Sequence, residues 1–267
     1  MKIITVPIHD NGFGGALLKI FLLLSFFIQS QSILGQDMSQ DMSRIRKNTI
    51  KLDITSHLVY RKALNISYER VIKPNQTFVF TAGYQEFPKI LSFGSGIQSP
   101  DEGKKNGYKF GGEYRFYLKK ENKHMAPHGV YIGPYLSYLY FKNERHLQIT
   151  PEDGSQIDAL YKDNLSVFNI GFQAGYQFVI NDRFTIDLTF IGPSVTRYAA
   201  KFQLDGDFTV DEEHEYENEI LKALVDRFPA LDELIKNKEV DKDGKVDTWS
   251  FGYRYQVLIG YRFGHKK

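Results

Sequence analysis

The sequence predicts an all-β protein, an eight-stranded antiparallel up-and-down transmembrane β-barrel with a helical insertion in its last long loop. Three observations predict it. Segments of period-two alternation set Phe, Tyr, Ile and Leu on one face against Gly, Ser, Thr, Asn, Gln and isolated charges on the other. The connections between these segments are short at one end of the sheet and mostly long at the other. An apolar run near the N-terminus has the form of a secretion signal.

That run, Ile20 to Ile28, follows Lys19 and precedes QSQSILGQ. It is shorter than the roughly 20 apolar residues a spanning helix needs. Residues 1–35 therefore read as a signal peptide cleaved between Gly35 and Gln36, and 36–47 as a periplasmic N-terminal segment. The barrel domain occupies 48–267.

The first strand alternates Ile50, Leu52 and Ile54 with Lys51, Asp53 and Thr55. The second sets Leu64, Ile66 and Tyr68 against Asn65, Ser67 and Glu69, and the turn KPNQ (Lys73 to Gln76) leads to Phe78, Phe80, Ala82 and Tyr84. A polar connection from Phe87 to Asn106 precedes Tyr108, Phe110, Tyr114 and Phe116, opposite Lys109, Gly111, Glu113 and Arg115. The linker Lys119 to Pro127 leads to Val130, Ile132, Leu136 and Tyr138, opposite Tyr131, Gly133 and Ser137. After a polar insertion, Lys142 to Asp163, two strands run from Phe168 to Phe190 around the turn Asn181-Asp182. An extracellular loop follows over 198–248. The last strand sets Phe251 to Phe263 at odd positions against Gly252, Arg254, Gln256, Gly260 and Arg262.

The assignment of faces follows from size. Eight strands enclose a space only wide enough for side chains to fill. Small and polar residues suit that interior, and the large apolar ones suit lipid. A closed sheet also satisfies every backbone amide, which lipid cannot do. The interior then holds Lys51, Asp53, Glu69, Lys109, Glu113, Arg115, Asp187, Arg254 and Arg262, expected as a paired network because unpaired charge is costly there. His57 is expected to cap it.

In the loop over 198–248 the period changes to helical: Ile220, Leu221, Leu224, Val225 and Phe228 form one stripe, and Pro229 divides two helices. This element reads as a lid on the barrel rim or as a partner-binding surface. Behind it, Glu239, Asp241, Asp243 and Asp247, with Gly244, have spacing like that of a calcium loop. Ser250 stands where a bidentate Glu belongs, and Asp-Gly is equally a hairpin signal. No other cofactor is suggested.

With 34 basic and 32 acidic residues the chain has no bias toward nucleic acid, and zero cysteines exclude disulfides and thiolate metal sites. Catalytic signatures are missing. Ser56-His57 is the one pairing to name, and adjacent strand residues point to opposite faces.

LNISYERVI (Leu64 to Ile72) and GGEYRFYL (Gly111 to Leu118) resemble strands of small outer-membrane β-barrel proteins of Bacteroidota, a family of unknown function. Phe116 departs from the Tyr common there. The ILGQ region resembles signal peptides of that phylum. The resemblance covers residues 48 to 264 without the helical loop. It implies location in the cell outer membrane with both termini periplasmic, and contacts with the bilayer and the outer-membrane assembly machinery. The expected function is a non-enzymatic barrel presenting extracellular loops for structural or binding roles. The rivals are a lipid-modifying enzyme and a small-ligand binding or transport barrel.

Overall fold

A computed structural model describes residues 45–60, 62–86, 97–98, 103–118, 122, 124–150, 156–205 and 245–264. The signal peptide, the helical stripe from Ile220 to Phe228, and Glu239, Asp241 and Asp243 lie outside the described residues. The chain order is β1 (Asn48–Asp53), α1 (Ile54–Val59), β2 (Ala63–Lys73), β3 (Gln76–Gln85), β4 (Ile97–Gln98), β5 (Lys104–Tyr117), β6 (Gly129–Ile149), β7 (Ile157–Ile180), β8 (Phe184–Ile191), β9 (Pro193–Asp205), β10 (Lys245–Tyr253) and β11 (Gln256–Phe263).

The expected architecture, an eight-stranded up-and-down transmembrane barrel, is corrected: the described residues form an antiparallel sheet of eleven strands with one short helix, ordered β10-β9-β7-β8-β11-β1-β2-β3-β5-β6-β4. The helix among the described residues lies between β1 and β2, and the helical insertion expected in the last long loop falls within 206–244, outside the described residues. An additional pairing joins β6 to β7, so the ladder from β7 through β8, β11, β1, β2, β3, β5 and β6 returns to β7. The strand count rises because β4 forms within the connection expected from Phe87 to Asn106 and because two chain segments break. Gly192 alone separates β8 from β9, and both pair with the same edge of β7. Arg254 and Tyr255 separate β10 from β11.

Local chemistry explains the helix. Ile54 continues the alternation in sequence, yet Asp53 caps a helical turn by accepting from Ser56 N at 3.0 Å and Ser56 Oγ at 2.6 Å. That capping ends β1 at Asp53. The β7–β8 turn is built as its residue types require, with Asn181 and Asp182 at φ 49° and 60°.

The sheet buries its polar face. Lys51, Glu69, Arg115, Gln173, Gln177 and Asp187 are at most 1% exposed, whereas Ile50, Ile66, Phe80, Phe110 and Ile259 are 43–50% exposed. At the turn end, Ile45, Val71, Tyr117, Ala126 and Tyr131 form a small apolar cluster beneath the charges.

Beyond Tyr140 the preference inverts. The stretches expected as polar insertions are strands: β6 runs to Ile149, β7 starts at Ile157, and β9 and β10 pair from Lys201↔Lys245 to Pro193↔Tyr253. Here the apolar Phe141, Leu147, Ala159 and Tyr161 are buried on the inward side, with Asn143 and Arg145 among them. The outward ones include Lys142, Glu144, His146, Asp158 and Lys162. In this distal ladder, β6 and β7 beyond Tyr140 have the arrangement of a sheet facing water, whereas β10 keeps Trp249, Phe251 and Tyr253 outward and 45–72% exposed.

Asp163 sits inside that ladder, accepting from Asn143 Nδ2 at 2.8 Å. Burial pushes its carboxyl up to about 6 against the stabilising charge of Arg145. A folded-state value above the unfolded one means full stability below about pH 4, lost as pH rises through about 6. Asp163→Asn is expected to flatten this dependence and to stabilise the ladder at neutral pH by about 1–3 kcal/mol, measured by urea titration at pH 4, 6 and 8.

Candidate functional site

Six of the predicted interior charges meet in one cluster. Lys51 Nζ lies 2.8 Å from Glu69 Oε2 and 2.6 Å from Asp187 Oδ2, and donates to Gln177 Oε1 at 2.8 Å. The Arg115 guanidinium bonds Asp187 Oδ2 at 2.6 Å through Nη1 and Glu113 Oε2 at 2.8 Å through Nε. It also lies 4.2 Å over the Tyr131 ring. Tyr131 OH donates to Asp187 Oδ1 at 2.8 Å. Glu69 accepts from Thr77 Oγ1, Tyr117 OH and Gln177 Nε2 at 2.7, 3.1 and 3.0 Å. Arg254 closes the cluster, 2.8 Å from Glu113 Oε1 and 3.9 Å above the Tyr135 ring.

The remaining three charges stand apart. Lys109 Nζ and Gln256 Nε2 each donate to Asp53 Oδ2 at 3.0 Å. Arg262 reaches the turn end, bonding Asp182 Oδ1 at 3.0 Å and Arg46 O at 2.9 Å. Around the cluster, Lys51, Lys109, Arg115 and Arg254 balance Asp53, Glu69, Glu113 and Asp187, so this interior carries no net formal charge. The bonds cross β1, β2, β5, β6, β7 and β8, and their evident physical role is to tie strands together.

The residues that sequence reasoning left out of the network are Tyr117, Tyr131, Tyr135, Gln173 and Gln177. Both Gln residues stood on the polar face, and being uncharged gave no reason to single them out. The tyrosines cross the interior because glycines leave room. A Cβ on Gly175 would lie 2.4 Å from Tyr131 Oη, and one on Gly260 would lie 2.8 Å from Lys51 Cγ.

His57 does not cap the network: its Nδ1 lies 2.6 Å from Ala63 O, tying α1 to β2. Ser56 Oγ donates to Asp53, not to His57. Of the calcium-loop residues only Asp247 is described. It is in β10, with Oδ1 accepting from Arg197 Nε at 2.9 Å and its other oxygen 2.5 Å from Arg197 Nη2. Among the described residues no group of three or more His, Cys, Asp or Glu could hold a metal ion.

Above the charges lies an open cavity of ≈ 220 Å³, lined by Asp53, Ser56, Val59, Tyr60, Lys109, Tyr135, Ser137, Asn169, Tyr253, Arg254, Tyr255 and Gln256 among others. It occupies the level at which β8 gives way to β9 and β10 to β11. Gly192 O at the first break accepts from Tyr135 OH and Arg254 N, each at 2.8 Å.

No known protein family matches the chain, and no curated protein does. The resemblance to Bacteroidota outer-membrane proteins is therefore corrected. A charge flanked by aromatics, as in SYERV or EYRFY, is what any strand with these two faces shows. Among solved structures, a major outer membrane protein from Thermus thermophilus is similar at a TM-score of 0.33 and 10% identity, covering 81% of this chain and 98% of that one. A superposition this loose carries no argument about this chain. The protein is a β-rich chain with a distant likeness to an outer-membrane protein. The expected function, a barrel presenting loops, is corrected: the described residues form an eleven-stranded sheet whose charged interior is packed with paired side chains.

Proposed function

We propose that the protein is seated in the cell outer membrane, with its outward apolar face against acyl chains and the ends of β6 and β7 beyond Tyr140 standing in water. The inverted burial supports this reading: charges at most 1% exposed lie behind Ile50, Ile66, Phe80 and Ile259, which are 43–50% exposed. Water does not favour such an outer face, and lipid does. Tyr84, Tyr108 and Tyr140 pair across β3, β5 and β6 where the apolar belt ends, as aromatic rings do at a membrane–water boundary.

In this reading both ends of the described chain lie on the periplasmic side. Asn48 pairs with Phe263, and the β2–β3 and β7–β8 turns lie at that same end. The bilayer and the outer-membrane assembly machinery are its partners in this reading. The paired interior charges are structural rather than catalytic.

The chain has no cysteine, so single substitutions report cleanly. Phe80→Cys and Ile259→Cys, carrying a fluorophore, are expected to be quenched by brominated acyl chains in vesicles, and Glu144→Cys to be quenched by aqueous iodide instead. Iodide quenching at all three positions would refute the seating.

A further inference from the structure

The sheet has a seam where the cavity meets the outside. β10 stands at one end of the strand order, paired with β9. The β1–β2 ladder ends at Leu52↔Ile66, leaving Ala63 to Asn65 of β2 beyond it. Between these edges α1 stands in for a strand: Thr55 Oγ1 accepts from Val257 N at 2.8 Å, and His57 meets Ala63 O. The cavity behind α1 is lined both by inward residues and by Val59, Tyr253 and Tyr255, which are 52%, 56% and 62% exposed on the outer surface.

We propose that this seam admits the headgroup of a single-chain, uncharged, hydroxyl-bearing amphiphile, such as a monoacylglycerol, into the cavity. The proposal rests on the membrane seating above. Volume sets the division of the ligand: ≈ 220 Å³ takes a glycerol-sized head. The tail stays outside along Val59, Tyr253 and Tyr255, continuous with the apolar belt.

Charge sets the head chemistry. Lys109 is paired with Asp53 at 3.0 Å and Arg254 with Glu113 at 2.8 Å, so an anionic head would have to displace an internal carboxylate. Neutral hydroxyls meet Ser137, Asn169 and Gln256 without that cost.

The test uses the full chain folded in detergent and native mass spectrometry with 1-monolauroylglycerol, lauric acid and a lysophosphatidylglycerol. Binding of the glycerol ester is expected about tenfold above either anion, the worth of one or two hydrogen bonds to its head. Ser137→Leu, which fills the cavity, and Val59→Trp, which blocks the seam from an exposed position, are each expected to abolish the preference. Val59→Trp reads out even if Ser137→Leu fails to fold. Equal binding of all three probes, no binding, or a preference that survives Val59→Trp would overturn the proposal. A chain that inserts into vesicles yet takes no glycerol ester leaves the seating standing. One that binds the ester without inserting overturns the seating alone.

Discussion

Asp187→Ala is expected to cost about 3–5 kcal/mol of folding stability, the usual penalty for leaving buried charge without its partner. Asp187 accepts from Lys51, Arg115 and Tyr131 at 2.6, 2.6 and 2.8 Å, and all four residues are at most 1% exposed. Its removal leaves the buried cations Lys51 and Arg115 sharing Glu69 and Glu113. The informative comparison is a charge-balanced deletion. Lys51→Met removes a cation and leaves Glu69 and Asp187 leaning on Arg115 alone. Lys51→Met combined with Glu69→Gln takes out a matched pair held at 2.8 Å. The double variant should be more stable than Lys51→Met by at least about 1 kcal/mol, because contacting charges are non-additive. Urea titration of the protein folded into vesicles or detergent measures all three. Additive losses would mean that the charges do not act as one network.

Ile66→Arg and Ile259→Arg should each destabilise the folded, lipid-inserted protein by about 2–4 kcal/mol, the cost of a cation at mid-depth on a lipid-facing strand. Ile259 pairs with Leu52 and Ile186, and Leu52 with Ile66, so both positions lie in one unbroken apolar stretch. In water the same changes on an exposed face would stay within about 0.5 kcal/mol. The control lies on the distal ladder, where His146 faces outward. His146→Arg is expected to be neutral within that same margin. Equal effects at all three positions would remove the distinction between a lipid-facing belt and a water-facing ladder.

The polar face was readable from alternation because period two assigns each side chain to a face whatever the strand order. Lys51, Glu69, Arg115, Asp187 and the other named charges lie on the inward face. Their partners were not readable, since pairing depends on which strands become neighbours and at what register. Arg115 meets Asp187 across 72 residues of sequence, and Lys51 meets it across 136. Nothing local links these positions. Residues 142–149 and 157–163 read as loop because they are polar. They form strands because Phe141, Leu147, Ala159 and Tyr161 are buried on the inner side beside Asn143 and Arg145, while Lys142, Glu144, Asp158 and Lys162 face outward, a mixture that a single assumed solvent for the whole sheet conceals.

Alternation by itself therefore determined an antiparallel β protein with one apolar and one charge-bearing face, and Asn181-Asp182 determined a tight turn. Tertiary structure alone decided the eleven-strand order, the breaks at Gly192 and Arg254-Tyr255, and the helix that Asp53 caps in place of a longer β1. It also decided which charges neutralise one another. The physical reason is range: a side chain's face is settled by its own backbone, whereas a buried charge is satisfied only by a partner that the register of distant strands brings within hydrogen-bonding distance.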